Sequence, residues 1–135
     1  MLTLTIRTDK PDAEIGLYED DKQLAYVTWL AHRQLAETMH GQVRELLHSQ
    51  DKMLQDLTAI ACYAGPGSFT GLRIGLSVAN ALSYALQVPI VAETGGDWQD
   101  RAIKRLQNGD VDPLAVPQYG TEVHITLPKT APNRA

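Results

Sequence analysis

The chain reads as an α/β domain with a mixed five-stranded sheet flanked by helices. Three observations lead there. Segments with period-two alternation crowd the first 30 residues, apolar positions then recur at three- and four-residue spacing, and after that short apolar runs alternate with helical patterns. With 135 residues, 44% of them apolar, there is enough chain for one domain with a core and too little for two.

Met1 to Arg7 sets Leu2, Leu4 and Ile6 against threonines and predicts a strand with one buried face. The turn chemistry of "DKPD" (Asp9 to Asp12) leads into a second strand, "EIGLYE", from Glu14 to Glu19. A polar turn at Asp20 to Lys22 and a third strand, "QLAYVTWL", from Gln23 to Leu30 complete a meander. From His32 to Ser49 the stripe Leu35, Met39, Val43, Leu46 and Leu47 predicts an amphipathic helix. Asp51 to Leu57 is a connector with room for one helical turn, and "TAIACY", Thr58 to Tyr63, is a short buried strand.

A glycine-rich loop follows, and Gly71 to Leu86 predicts a helix that is apolar on two faces. One stripe holds Leu72, Leu76, Ala79, Leu82 and Leu86, the other Ile74, Val78, Ala81 and Ala85. One stripe belongs on the sheet, and the second needs another helix, a second copy or a partner. "VPIVA", Val88 to Ala92, is the last strand, and Trp98 to Leu106 forms a short helix with Trp98, Ala102, Ile103 and Leu106 inward. Prolines at 113, 117, 128 and 132 mark a shift in composition. The expected division is a single domain over 1–108 and an extended tail over 109–135, in which the alternation Val123 to Leu127 suits a strand added to a sheet edge. Meander, helix, strand, helix, strand, helix is the order of one ribonuclease-H-like half of the actin, sugar-kinase and Hsp70 fold.

Composition limits the function classes. A lone cysteine, Cys62, in an apolar run forms no internal disulfide, and no run approaches the roughly 18 apolar residues of a membrane helix. The start of the chain lacks the pattern of a signal peptide. These features predict a soluble, cytoplasmic protein. A net charge of −4 without a basic cluster predicts contact with RNA only through a partner.

The candidate site is the loop "AGPGSFTGLR", with Gly65, Pro66, Gly67, Ser68, Gly71 and Arg73. Glycines between a strand and a helix let backbone N–H groups approach an anion. The spacing, however, is neither that of a P-loop, since no lysine follows, nor that of a dinucleotide fingerprint, since Gly65, Gly67 and Gly71 run G-x-G-x-x-x-G. A phosphate cradle and a turn that feeds the helix both remain open on spacing.

The longer run "AGPGSFTGLRIGLSVANALSYAL", preceded by a buried strand and an amphipathic helix, resembles the signature of the TsaB (YeaZ) family over about Met1 to Thr94. The resemblance implies a non-catalytic subunit. Such a subunit binds and stabilises a TsaD-like catalytic partner that makes the threonylcarbamoyl modification at tRNA adenosine 37. A TsaE-like ATPase is a further candidate partner, and a homodimer a candidate state in isolation. In this family the two helices pack against those of TsaD, which places Leu35, Met39, Val43, Phe69, Leu72, Leu76, Ala79 and Leu82 at the expected interface.

Two departures bear on chemistry. Where relatives of this fold carry an aspartate at the end of the first strand, "TIRTDKP" has Arg7, with Asp9 two residues on in a turn. Arginine neither ligates magnesium nor acts as a base. Ordinary members also carry a second related half, whereas about 40 residues follow the matched region here. No catalytic, cofactor or metal residue is therefore assigned. A small nucleotide-dependent phosphotransferase and a metallopeptidase-like protein are the alternatives. For the latter, His32, His40 and His48 are spaced eight apart, about 12 Å along a helix and too far for one metal shell.

Overall fold

The computed structural model describes residues 1–31 and 34–117, so the expected helix start at His32 and the Val123 to Leu127 alternation lie outside the described residues. The elements are β1 (Leu2–Arg7), β2 (Asp12–Glu19), β3 (Lys22–Leu30), α1 (Leu35–His48), a 3-10 turn (Leu54–Asp56), β4 (Ala59–Tyr63), α2 (Phe69–Leu86), β5 (Ile90–Glu93) and α3 (Trp98–Gln107). The predicted mixed five-stranded sheet is present, in the order β3-β2-β1-β4-β5. β1, β2 and β3 pair antiparallel, while β4 pairs parallel with β1 and β5.

Register assigns the faces. Leu4 opposes Leu17 and Ile60, Ile6 opposes Ile15, and Ala13 opposes Trp29, so these side chains share one face. Trp29 Nε1–H donates to Thr38 Oγ1 of α1 at 2.9 Å, which puts α1 over that face. Thr8, two residues beyond Ile6, bonds to α2, which puts α2 there too. The core between them is closed: Leu4, Ile6, Ile15, Leu17, Met39 and Leu72 are fully buried. Each such side chain contributes about 1.5–3 kcal/mol through removal from water. On the opposite face Tyr63 meets Trp98 of α3 edge-to-face, ring centroids 5.7 Å apart. Small residues there (Thr3, Thr5, Ala59, Ala61) leave room for α3, whose Trp98, Ala102, Ile103 and Leu106 are all buried as the sequence predicts.

α2 begins at Phe69, two residues before the predicted start, because Ser68 already occupies the N-cap position. Its last turn ends on Gln87 in the left-handed conformation, which returns the chain to the sheet within three residues. Residues 109–117, the described part of the expected extended tail, carry neither helix nor strand and lie along the domain. Asp112 N–H donates to the Ile90 carbonyl at 2.8 Å, and the Asn80 side chain of α2 pairs with both backbone groups of Ala115 at 2.9 Å. Prolines here shape a strap that lies on the domain, since Ala115 is buried. Among the described residues no helix is long and apolar enough to cross a membrane.

The Asn80 amide works as a two-point clamp on the strap. Asn80→Ala is expected to lower unfolding free energy by about 1–2 kcal/mol, read in urea, since it leaves two backbone groups of Ala115 without partners. An unchanged midpoint would show that the clamp contributes nothing.

Candidate functional site at the glycine-rich loop

The ends of β1 and β4 and the start of α2 converge, and the glycines mark where they touch. Gly65 has φ +122°, a conformation only glycine adopts without strain, and its peptide bond to Pro66 is cis. Tyr63 Oη–H donates to the Pro66 carbonyl at 2.7 Å, and Gly95 N–H to the Gly65 carbonyl at 3.1 Å, so the loop is fixed from both sides.

The remaining glycines provide space. A Cβ on Gly67 would lie 2.6 Å from Asp9 Oδ2, one on Gly71 would overlap the Thr8 carbonyl oxygen, and one on Gly75 would overlap Thr8 Oγ1. The turn after β1 is therefore wedged against the loop and the first two turns of α2. Thr8 Oγ1–H donates to the Gly71 carbonyl at 2.6 Å, and Ser68 N–H to the Asp9 carbonyl at 3.3 Å. Thr8 is a central residue of this contact that the sequence reading did not single out. Its only signal was the Gly71/Gly75 pair, whose four-residue spacing marks a close approach without saying to what.

Asp9 stands in the turn after β1, as the sequence predicts. It is buried and paired with Arg7, whose Nε–H donates to Oδ1 at 2.7 Å and Nη2–H to Oδ2 at 3.2 Å. The same guanidinium lies over the Tyr63 ring, 3.9 Å from its centroid. The Asp9 hydrogen bond raises the Arg7 pKa above its ordinary value against the opposing effect of burial, so the cation is permanent. Burial pushes the Tyr63 hydroxyl up as well, which keeps it neutral. Arg7 and Asp9 thus neutralise each other, and the Asp9 carboxylate rests beside Gly67, at the entry to α2, where an external anion would approach.

Chemically this arrangement is a cohesive joint. A groove of about 220 Å³ runs beside it, lined by Asp9, Pro11, Leu35, Ser68, Thr70 and Ile74. Ser68 is exposed, as is Arg73, whose guanidinium sits 5.1 Å over the Phe69 ring. His40 and His48 line a different groove, with Leu47 and Leu82, and among the described residues no cluster of three metal-ligating side chains occurs.

The predicted interface residues divide unevenly. Leu35, Met39, Val43, Leu72, Leu76, Ala79 and Leu82 lie in the chain's own core. Both stripes of α2 are apolar in sequence, and the stripe with the bulkier leucines is the one the sheet takes. Only Phe69 of that set is exposed, at 52%. The other stripe faces outward: Ala81 and Ala85 are exposed, Ile74 and Val78 half-buried, and Tyr84 beside them is 80% exposed.

Comparison with known proteins matches residues 27–97 to a family model described as TsaD: tRNA N6-adenosine threonylcarbamoyltransferase. The "tRNA threonylcarbamoyladenosine biosynthesis protein TsaB" of Bacillus subtilis is 38% identical over 93 residues, 68% of this chain and 40% of that protein. The protein of the same description in Escherichia coli is 31% identical over 91 residues, 67% of this chain and 39% of its own length. Among solved structures, YeaZ from Pseudomonas aeruginosa superposes with a TM-score of 0.63 at 31% identity, covering 69% of this chain and 43% of that one. The chain spans about 40% of the length of the curated relatives it matches.

The wedge makes a graded expectation for glycine-to-alanine changes. Gly71→Ala and Gly75→Ala should each destabilise by about 1–3 kcal/mol through overpacking against Thr8. Gly41→Ala on α1, where a Cβ would meet nothing within 4 Å, should stabilise, by about 0.5–1 kcal/mol. Thr8→Ala should relieve the clash at 75 and leave that at 71, which meets backbone. Denaturant midpoints of the single and double variants decide, and equal costs at positions 41 and 71 would remove the wedge from the account.

Proposed function

Because the chain belongs to the TsaB/YeaZ family, within the group matched by the tRNA N6-adenosine threonylcarbamoyltransferase model, we propose that it serves tRNA threonylcarbamoyladenosine formation as a non-catalytic subunit that binds and stabilises a TsaD-type catalytic subunit. The observation that carries this reading is the outward stripe of α2. Ile74, Val78, Ala81 and Ala85 are apolar and at least partly exposed, and small side chains at 81 and 85 permit close approach of a second helix. In this reading the interface comprises that stripe together with Phe69, one stripe over from the positions the sequence suggested.

The engagement of Asp9 with Arg7 supports an accessory role, because the carboxylate nearest the loop is committed to an ion pair. Neither a phosphotransferase nor a metallopeptidase is favoured by a specific side-chain arrangement at the loop. A homodimer in isolation, docking of a TsaE-like ATPase and contact with tRNA only through the complex belong to the same proposal.

Two neighbouring alanines test it. Ala81→Glu places a charge on the outward stripe and is expected to leave the melting temperature within a few degrees of the parent while abolishing co-purification with the cognate TsaD-type subunit. Ala79→Glu places the charge in the core and is expected to unfold the domain. Wild-type association by a folded Ala81→Glu variant would refute the placement.

A further inference from the structure

The turn that ends α3 is built on an Asn108-Gly109 pair, and both residues are exposed. Asn108 closes the helix with φ −84° and ψ 2°, and its N–H donates to the Lys104 carbonyl at 3.0 Å. Gly109 follows at φ +81°, a left-handed conformation that favours glycine just past a helix end. Two backbone bonds then finish the cap. Gly109 N–H donates to the Leu106 carbonyl at 3.1 Å, and Asp110 N–H to the Arg105 carbonyl at 2.9 Å. The Arg105 side chain draws the same segment in: its Nε–H donates to Asp110 Oδ2 at 2.8 Å and its Nη2–H to Asp112 Oδ1 at 2.6 Å.

The Asn108 side chain is left out of this arrangement. Its amide makes no hydrogen bond among the described residues, whereas that of Asn80, the other described asparagine, is held at 2.9 Å by both backbone groups of Ala115. An asparagine followed by glycine carries a reaction of its own. The next backbone nitrogen can attack the side-chain amide carbon, and glycine has no Cβ to obstruct the approach. Two features of the folded chain block that attack. With ψ at 2° the Asn108 backbone nitrogen eclipses the Gly109 nitrogen, so Cβ and the amide carbon it carries are turned away. The Gly109 N–H is also engaged by Leu106. Reaction therefore requires residues 108–110 to open locally, and the glycine that allows the cap to form is also what makes its neighbour reactive.

We propose that Asn108 is a site of spontaneous covalent modification, gated by the α3 cap. Once the cap opens, the Gly109 nitrogen bonds to Asn108 Cγ and the Cγ–Nδ2 bond breaks, with the Gly109 proton leaving on Nδ2 as ammonia. The resulting succinimide takes up water at either carbonyl and gives aspartate or isoaspartate. Aspartate puts a carboxylate at the negative end of the helix, which the macrodipole disfavours. Isoaspartate reroutes the backbone through Cβ and lengthens the link between α3 and Gly109, so the two cap bonds cannot both re-form. The change runs one way and marks molecules whose α3 terminus has opened. This inference is independent of the reading of α2.

The test follows residue 108 by mass spectrometry at mildly alkaline pH, in the full chain and in a synthetic peptide with the sequence of residues 105–112, Arg-Leu-Gln-Asn-Gly-Asp-Val-Asp. Conversion in the chain should be slower than in the peptide by about tenfold or more, the effect of backbone hydrogen bonds that must open first. Asp110→Ala removes the Arg105 contact from the cap. It should quicken conversion in the chain by about two- to fivefold, the effect of one exposed ion pair, while the same substitution in the peptide leaves its rate unchanged. In the isoaspartyl form, separated by ion exchange, the Gly109 and Asp110 amides should lose protection against hydrogen exchange while the Ile60 amide of β4 keeps its own. Equal rates in chain and peptide, an Asp110→Ala chain no faster than its parent, or full protection of Gly109 in the isoaspartyl form would each overturn the proposal.

Discussion

The rest of the structure depends on how closely the turn after β1 approaches α2. Thr8 enters the space left by Gly71 and Gly75, so the first two turns of the helix sit almost in backbone contact with the end of the strand. That contact, together with the bulk of the leucines on one stripe, sets the rotation of α2 about its axis. Leu72, Leu76, Ala79 and Leu82 then have no choice but the sheet, and Ile74, Val78, Ala81 and Ala85 are turned outward. A side chain at either glycine would lift or rotate the helix and change which stripe meets solvent. Loop composition and surface presentation are in this sense one constraint, and the glycines that resemble a phosphate cradle in outline act here as a mould for Thr8 and Asp9.

Electrostatics reinforce the joint without making it reactive. Arg7 is held between the Asp9 carboxylate and the Tyr63 ring, and Tyr63 in turn rests on Trp98 of α3. This chain of contacts joins the loop at the end of the sheet to α3. The cation is desolvated enough to gain from the ring and paired well enough to avoid the penalty of a lone buried charge. A residue that departs from the usual carboxylate at this strand end therefore serves cohesion between layers.

Most of the fold was legible because each element carried its own period. Alternation in β1 to β3, the stripe Leu35–Met39–Val43 and the inward set Trp98–Ala102–Ile103–Leu106 are local signals, and the structure bears them out. What was not legible depended on distant residues. Nothing near Gly71 announces that its neighbour is Thr8, which lies 63 positions earlier. The choice between the two apolar stripes of α2 likewise rests on volume: leucines fill the space over β1 and β4 better than alanines, and periodicity alone is blind to that. How the strap is held was illegible for a related reason. Prolines forbid regular pairing, but Asp112 and Asn80 supply side-chain groups where backbone donors and acceptors would have stood.

Each layer of helices carries its own indole. Trp29 is tied to α1 through Thr38, on the face shared by α1 and α2, whereas Trp98 belongs to α3 and lies against Tyr63 on the other. Trp29 is half-buried and Trp98 nearly inaccessible. The molecule is thereby a two-colour optical gauge of its own cohesion: the emission of one fluorophore follows the helix that borders the proposed partner surface, and that of the other follows the helix that holds the strap.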